Sequence, residues 1–272
     1  MNDFLKKGDY EEPRCLLHLH PEVTRINVGR MVEKLDEYLG RNDCDAAERH
    51  LRYWLAEAQS GHDKRGELSV RNEQIGLYRK LGKEVECLAA AAAALALVKS
   101  LEMPDSLTFA TTLINAATGY KAFGKASDAL SLYEQARAIY EAHLKPDDDR
   151  LGGLYNNMAL ALTAVQRYHE AETLLHKALD VMVQQEHGES EMAITYLNLA
   201  DLVAAESGLE AGEARISEYL TEAERLLDTD TLPQNGYYAF VCEKCAPVFG
   251  YYGYFLTEDK LAERAKNIYE RS

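Results

Sequence analysis

Thiols, imidazoles and amides are the side chains in this sequence whose types and spacing suggest chemistry. Cys242 and Cys245 stand three apart. On a helix that spacing puts both sulfurs on one face, half of a tetrahedral zinc site. Cys15, His18 and His20 would supply the other half if their segment packed against 242–245. A redox Cys-x-x-Cys pair belongs beside a βαβ pattern, and none surrounds this one. Thiols also fill cores as small apolar groups, so packing is the first reading of this pair and zinc the alternative. His169 and His176 lie seven apart, whereas a metalloprotease helix places its two histidines four apart. Asp147, Asp148 and Asp149 lack the spaced ligands and the glycine of a calcium loop, so they read as a solvated turn. There is no Gly-x-Ser-x-Gly elbow and no phosphate-cradling glycine loop. The sequence therefore predicts no catalytic residue, no cofactor and no resident metal. The asparagines are more telling. Asn115, Asn157 and Asn198 recur at intervals of 42 and 41 residues, each two positions before a small residue. An amide offers both a donor and an acceptor to whatever lies opposite.

That interval runs through the chain. Gly82, Gly124 and Gln166 are 42 apart, as are Tyr78, Tyr120 and Leu162, and Ile75, Ala117 and Ala159. Cys87, Ala129 and Ala171 keep the same step, and so do Ala94, Ala136 and Ala178. A fixed period of this length marks a repeat architecture. Within one unit, Leu113, Ala117, Tyr120 and Phe123 line one face of a helix. Gly124 then supplies a left-handed turn. A second helix follows from about 127 to 143, with Ala129, Leu132, Tyr133, Ala136 and Tyr140 facing inward. Pro146 breaks it, and the aspartates after it can cap the next helix. One such pair cannot bury its apolar face alone, so neighbouring pairs must stack.

The segment AATGYKAFGKASDALSLYEQA (116–136) resembles a tetratricopeptide repeat, and 158–178 is a second copy with Gln166 at the turn. Weaker copies lie at 74–94, around Leu35–Trp54, and around Leu199–Ala223, the last with an apparent insertion of about four residues at Gly208–Gly212. Residues 236–254 and 259–271 look like a degenerate sixth pair. The long period is similar to that of kinesin light chain and of bacterial peptide-sensing regulators. The resemblance implies an all-α, right-handed superhelical solenoid of about six helix-turn-helix repeats over 24–272, preceded by a non-repeat leader over 1–23. It also implies a protein or extended peptide as partner, held on the concave face. In such families the asparagine column hydrogen-bonds peptide backbone, which makes Asn115, Asn157 and Asn198 the expected contacts. Helical spacing places Thr111, Thr118, Lys121, Asn156, Leu160, Thr163, Ile194 and Asp201 on the same face. A bond to the adjacent helix is the other reading of the asparagines. The aromatic stretch at 236–256 reads as a packed terminal helix, with a contact surface for a partner or a second copy as the alternative.

Composition narrows the partner. Lys and Arg number 30 against 45 Asp and Glu, a formal net charge of −15. A chain this acidic, with no Lys/Arg cluster in sequence, is repelled by a phosphate backbone, so nucleic acid is not expected. The longest apolar run, 87–98, is well short of the roughly 20 residues that span a bilayer. No apolar segment of a signal peptide opens the sequence, and five scattered cysteines suit a reducing compartment, so the expected location is cytoplasmic.

Overall fold

A computed structural model describes residues 23–102 and 104–271. Cys15, His18 and His20, and all of the expected leader except Val23, lie outside the described residues. Among these residues there are twelve α-helices and no strand. They pair in chain order as α1 (Val28–Gly40) with α2 (Cys44–Ser60), α3 (Lys64–Lys80) with α4 (Glu84–Ser100), and α5 (Leu107–Ala122) with α6 (Ala126–His143). Then come α7 (Asp149–Ala164) with α8 (Tyr168–Met182), α9 (Glu189–Ser207) with α10 (Leu209–Leu227), and α11 (Gly236–Tyr251) with α12 (Phe255–Arg271). Each pair packs internally and then against its sequence neighbours, an all-α solenoid of six repeats.

The turn inside five of the six repeats is built the same way, and in the fifth Gly208 alone makes it. Asn42, Gly82, Gly124, Gln166, Gly208 and Gly253 all hold positive φ, between 54° and 84°. A left-handed residue there lets the following N–H reach back to the end of the first helix. Lys83 donates to Tyr78 O, Lys125 to Tyr120 O and Arg167 to Leu162 O, each at 2.9 Å. Gln166 keeps this turn without being glycine, so it sits in a backbone region that a side chain tolerates at a cost. Between repeats, side-chain caps start several first helices. Asp63 accepts from the Gly66 amide and Ser106 from that of Phe109, and Asp148 caps α7 at the expected aspartate turn.

The expected insertion in the fifth repeat takes a different form. No loop separates α9 from α10; only Gly208 does, and both helices run to 19 residues. The added residues amount to about one helical turn of 3.6, so the packed face stays in phase. Ile216, Leu220 and Ala223 are accordingly buried.

Small residues set the spacing of the helices. Ala117, Ala159 and Ala200 on the first helices, and Ala129, Ala136, Ala171 and Ala178 on the second, are fully buried. Gly119 goes further: a Cβ there would lie 3.1 Å from Cys87 Sγ and 3.2 Å from Ile75 Cγ2, so α5 sits tight on the second repeat. Tyr133 fills the groove beside these residues and is wholly buried, its hydroxyl 2.9 Å from Thr118 Oγ1.

The solenoid also meets its own beginning. Helix α11 lies against α1, with Gly236 so close to Gly40 that an added Cβ would stand 3.0 Å from the Gly40 Cα. Lys80, at the end of α3, works at this seam. Its ammonium donates to Asn42 Oδ1 at 2.9 Å, stands 4.0 Å from Glu243 Oε2, and lies 5.8 Å from the centroid of the Phe240 ring.

Candidate functional site

First helices α3, α5, α7, α9 and α11 turn one side toward a shared cavity of about 840 Å³. Its wall takes Ile75 and Arg79 from α3, Ile114, Asn115 and Thr118 from α5, and Gly153 and Asn157 from α7. The 185–188 turn and Glu191 and Ile194 of α9 continue it, and Tyr237, Phe240 and Lys244 of α11 close it. Four residues of the expected peptide face are therefore on this wall: Asn115, Asn157, Thr118 and Ile194.

Asparagine chemistry divides into two kinds. Asn115 donates its amide to Asn72 Oδ1 at 3.2 Å, and Asn72 in turn donates to Thr112 Oγ1 at 3.2 Å. Asn198 and Asn156 repeat the arrangement: Asn198 donates to Asn156 Oδ1 at 3.1 Å and Asn156 to Thr195 Oγ1 at 2.7 Å. These relays tie α3 to α5 and α7 to α9. Between them, at the α5–α7 step, Ile114 takes the place of the second amide, and Asn157 donates locally to Gly153 O at 2.9 Å. Asn115 and Asn157 line the cavity, Asn115 while also bonding across a joint between repeats; Asn198 and Asn156 bond across a joint and do not line it.

The remaining expected positions lie off the cavity wall. Thr111 hydrogen-bonds Leu107 O and the Tyr140 hydroxyl, and Thr163 bonds Ala159 O. Asp201 accepts from the Tyr252 hydroxyl at 2.8 Å, linking the fifth repeat to the sixth, and burial raises its carboxyl above the usual range. Leu160 is half-buried. Lys121, also half-buried, is enclosed deep enough that burial, with Lys244 and Arg79 nearby, brings its ammonium down to about 7.

Charges around the cavity were not foreseeable from the local sequence. Closure of the solenoid carries Lys244 of the sixth repeat into the neighbourhood of Arg79 and Lys121 of the second and third. The Lys244 side chain reaches solvent but stands inside the concavity, and that enclosure lowers its ammonium despite the opposing pull of Cys245 and Glu191. Arg79 and Lys121 occupy one repeat position, 42 residues apart, with Thr163 next in the column. Among the described residues none of Arg79, Lys121 and Lys244 has a carboxylate within 4 Å or a hydrogen-bond acceptor. Asp149, Glu186 and Glu191 line the same cavity; burial raises the Glu191 carboxyl, and Lys244 nearby opposes that rise.

Cys242 and Cys245 are buried in α11, and burial pushes both thiols up, Cys245 to about 12. Burial of this kind disfavours the thiolate that nucleophilic chemistry uses. The described residues hold no cluster of three or more His, Cys, Asp or Glu that could grip a metal. The aromatic stretch around them is mixed: Tyr238 and Phe249 are core, while Tyr251, Phe255 and Leu256 are exposed. No helix among the described residues is long and apolar enough to cross a membrane.

The tetratricopeptide repeat family model matches residues 67–142 and 150–210, together just over half of the chain. The chain belongs to the tetratricopeptide repeat family. Two similar solved structures are those of a Podosopora anserina protein assigned to the kinesin light chains, with nearly identical TPR-like repeats, and of a single-residue variant of it. The first is 17% identical, covering 74% of this chain and 94% of its own, with a TM-score of 0.51. The second is 18% identical over 78% and 99%, with a TM-score of 0.53. BtubC (BKLC) of P. vanneervenii is 19% identical over 90% and 91%, with a TM-score of 0.47. At these identities the first two likenesses are of fold alone, an all-α repeat solenoid. Comparison with curated proteins finds no match. Tetratricopeptide repeats commonly mediate protein–protein interaction.

Proposed function

We propose that this tetratricopeptide repeat protein is a non-catalytic, cytoplasmic binding module that holds an extended peptide segment of a partner protein in its central cavity. The observation that carries the reading is the pair Asn115 and Asn157, one repeat apart, both on the wall of an 840 Å³ cavity with their amide oxygens unengaged among the described residues. An extended chain rises about 3.3 Å per residue, so acceptors on successive first helices match peptide N–H groups a few residues apart. Thr118 offers less than the sequence suggests, because its hydroxyl is already engaged by Tyr133. Apolar Ile75, Ile114 and Ile194 and the rings of Tyr237 and Phe240 give the ligand's side chains surface to cover. Asn198 and Asn156 act on the stacking of repeats rather than on the ligand.

Peptides retained from a digest of native-cell extract by the immobilised full chain, compared with those retained by Asn115→Ala/Asn157→Ala, test the reading. Retention of a defined set that the variant loses supports it. Equal recovery by both chains would remove the cavity as the site.

A further inference from the structure

Trp54 breaks the pattern of its column. Asn42 and Gly82 hold the same turn in the first two repeats, 40 positions apart, and Trp54 precedes Ala94 by the same 40. Ala94, Ala136 and Ala178 continue that column and are fully buried, each in a helix pair with another pair stacked ahead of it. Trp54 belongs to the first pair, and among the described residues no pair precedes it. Its large ring lines a groove of about 440 Å³ between α1 and α2, together with Arg30, Lys34, His50 and Tyr53. The indole N–H is buried yet meets no acceptor among the described residues. A buried donor left unpaired is costly, and native structures nearly always give it a partner. Tyr53, its ring 5.5 Å from that of Trp54, is left 56% exposed. The open end of a solenoid shows the face that one more repeat would cover, and such ends are closed by atypical capping sequence.

We propose that this groove is the docking site of residues 15–20 of the same chain, where Leu16, Leu17 and Leu19 cover the Trp54 and Tyr53 rings and a backbone carbonyl accepts the Trp54 N–H. Those positions lie outside the described residues, and reach and chemistry select them as the occupant. The described chain enters at Val23, and the Thr24 amide donates to Gly61 O at 2.9 Å, just past the end of α2. Trp54 lies seven residues back along α2 from Gly61, about 10 Å at 1.5 Å per residue. Leu19 is five residues ahead of Thr24, and five extended residues span about 16 Å. Leu19 therefore reaches Trp54, and Leu17 and Leu16 can run on toward His50. Of the residues before Val23, only this stretch carries three leucines so close together. The charged lining does not oppose them, because Arg30 and Lys34 offer apolar stems to the groove and keep their heads in water. The proposal does not rest on the peptide-binding reading, since the groove shares no residue with the central cavity. It also assigns Cys15 and His18 to the first repeat rather than to a zinc site with Cys242 and Cys245.

Trp54 is the only tryptophan in the chain, so its fluorescence reports on the groove without a label. The experiment uses the full chain as wild type, as Leu16→Ser/Leu17→Ser/Leu19→Ser and as Phe4→Ser/Leu5→Ser, with helicity checked by circular dichroism. Acrylamide quenching of Trp54 should rise several-fold in the triple variant, and its emission should move to the red, while the Phe4/Leu5 variant behaves as the wild type. Hydroxyl-radical footprinting adds a readout on the wild type itself, with Tyr251, 69% exposed, as the reference. Docked leucines should make Tyr53 react several-fold more slowly than Tyr251, and the triple variant should bring the two rates together. Unchanged quenching in a helical triple variant would overturn the proposal. So would Tyr53 reacting as fast as Tyr251 in the wild type, a result that stands even if the triple variant fails to fold. An equal effect from Phe4→Ser/Leu5→Ser would take the groove away from 15–20, and protection of Tyr53 that is lost on dilution would give it to a second copy of the chain.

Discussion

Replacing Asn156 by alanine should weaken the joint between the fourth and fifth repeats. The Asn156 side chain is buried, donates to Thr195 Oγ1 at 2.7 Å and accepts from Asn198 Nδ2 at 3.1 Å. Each bond contributes about 0.5–1.5 kcal/mol net, so losing both costs about 1–3 kcal/mol. The penalty falls toward the lower half of that range. Thr195 keeps its bond to Glu191 O, and half-buried Asn198 can turn to water. A cost of about 1–2 kcal/mol is expected. Asn157, next in sequence, makes only a local bond to Gly153 O, and its replacement by alanine should cost under about 1 kcal/mol. Urea unfolding followed by circular dichroism, with the slope checked for constancy, measures both. A double-mutant cycle of Asn156→Ala with Asn198→Ala isolates the shared bond and should give about 0.5–1.5 kcal/mol of coupling. Equal costs for the two neighbours, or a coupling indistinguishable from zero, would refute the division of asparagines into joint and cavity.

Ala159→Leu inserts a branched side chain where no surface is exposed and should destabilise by about 1–3 kcal/mol in the same urea assay. Gly236→Leu should force α11 off Gly40 and open the seam, seen as a larger radius of gyration by X-ray scattering with helicity retained; an unchanged radius would mean the two ends do not need that contact. The cavity ammonium gives a pH signature. Lys121 is lowered to about 7 in the folded state and titrates near 10.5 when unfolded, so between these values only the unfolded chain holds the proton. Stability should therefore gain from this group as pH rises from 7 to about 9, below the ordinary tyrosine range, and Lys121→Met should remove that gain from the urea midpoints.

Repeat architecture was largely legible because it is written locally. Small residues, the aromatic at the groove and the left-handed turn recur at a fixed step, and each is set by contacts within one or two helices. Gln166 was placed at the turn by register alone, and it adopts φ 64° as the glycines do. Gly208 was harder to read, since an added turn of helix and an inserted loop leave the same gap in an alignment of columns. The cavity was legible in part. Helical register put Asn115, Asn157, Thr118 and Ile194 on the cavity side, but it could not show which asparagines also bond across a repeat joint. That bond depends on the residue one position earlier in the neighbouring repeat: Asn72 and Asn156 there engage Asn115 and Asn198, and Ile114 leaves Asn157 to a local bond. Arg79 and Lys244 were missed for a different reason. They are 165 positions apart in sequence, and only closure of the solenoid brings them to one cavity.

Titration calorimetry of a retained peptide against three chains tests the central claim most directly: wild type, Asn115→Ala/Asn157→Ala, and Asn198→Ala. The account predicts that the double variant loses about 1–3 kcal/mol of affinity, from two hydrogen bonds to peptide backbone, while Asn198→Ala binds as the wild type does. Unchanged affinity in the double variant, or a loss confined to Asn198→Ala, would contradict it.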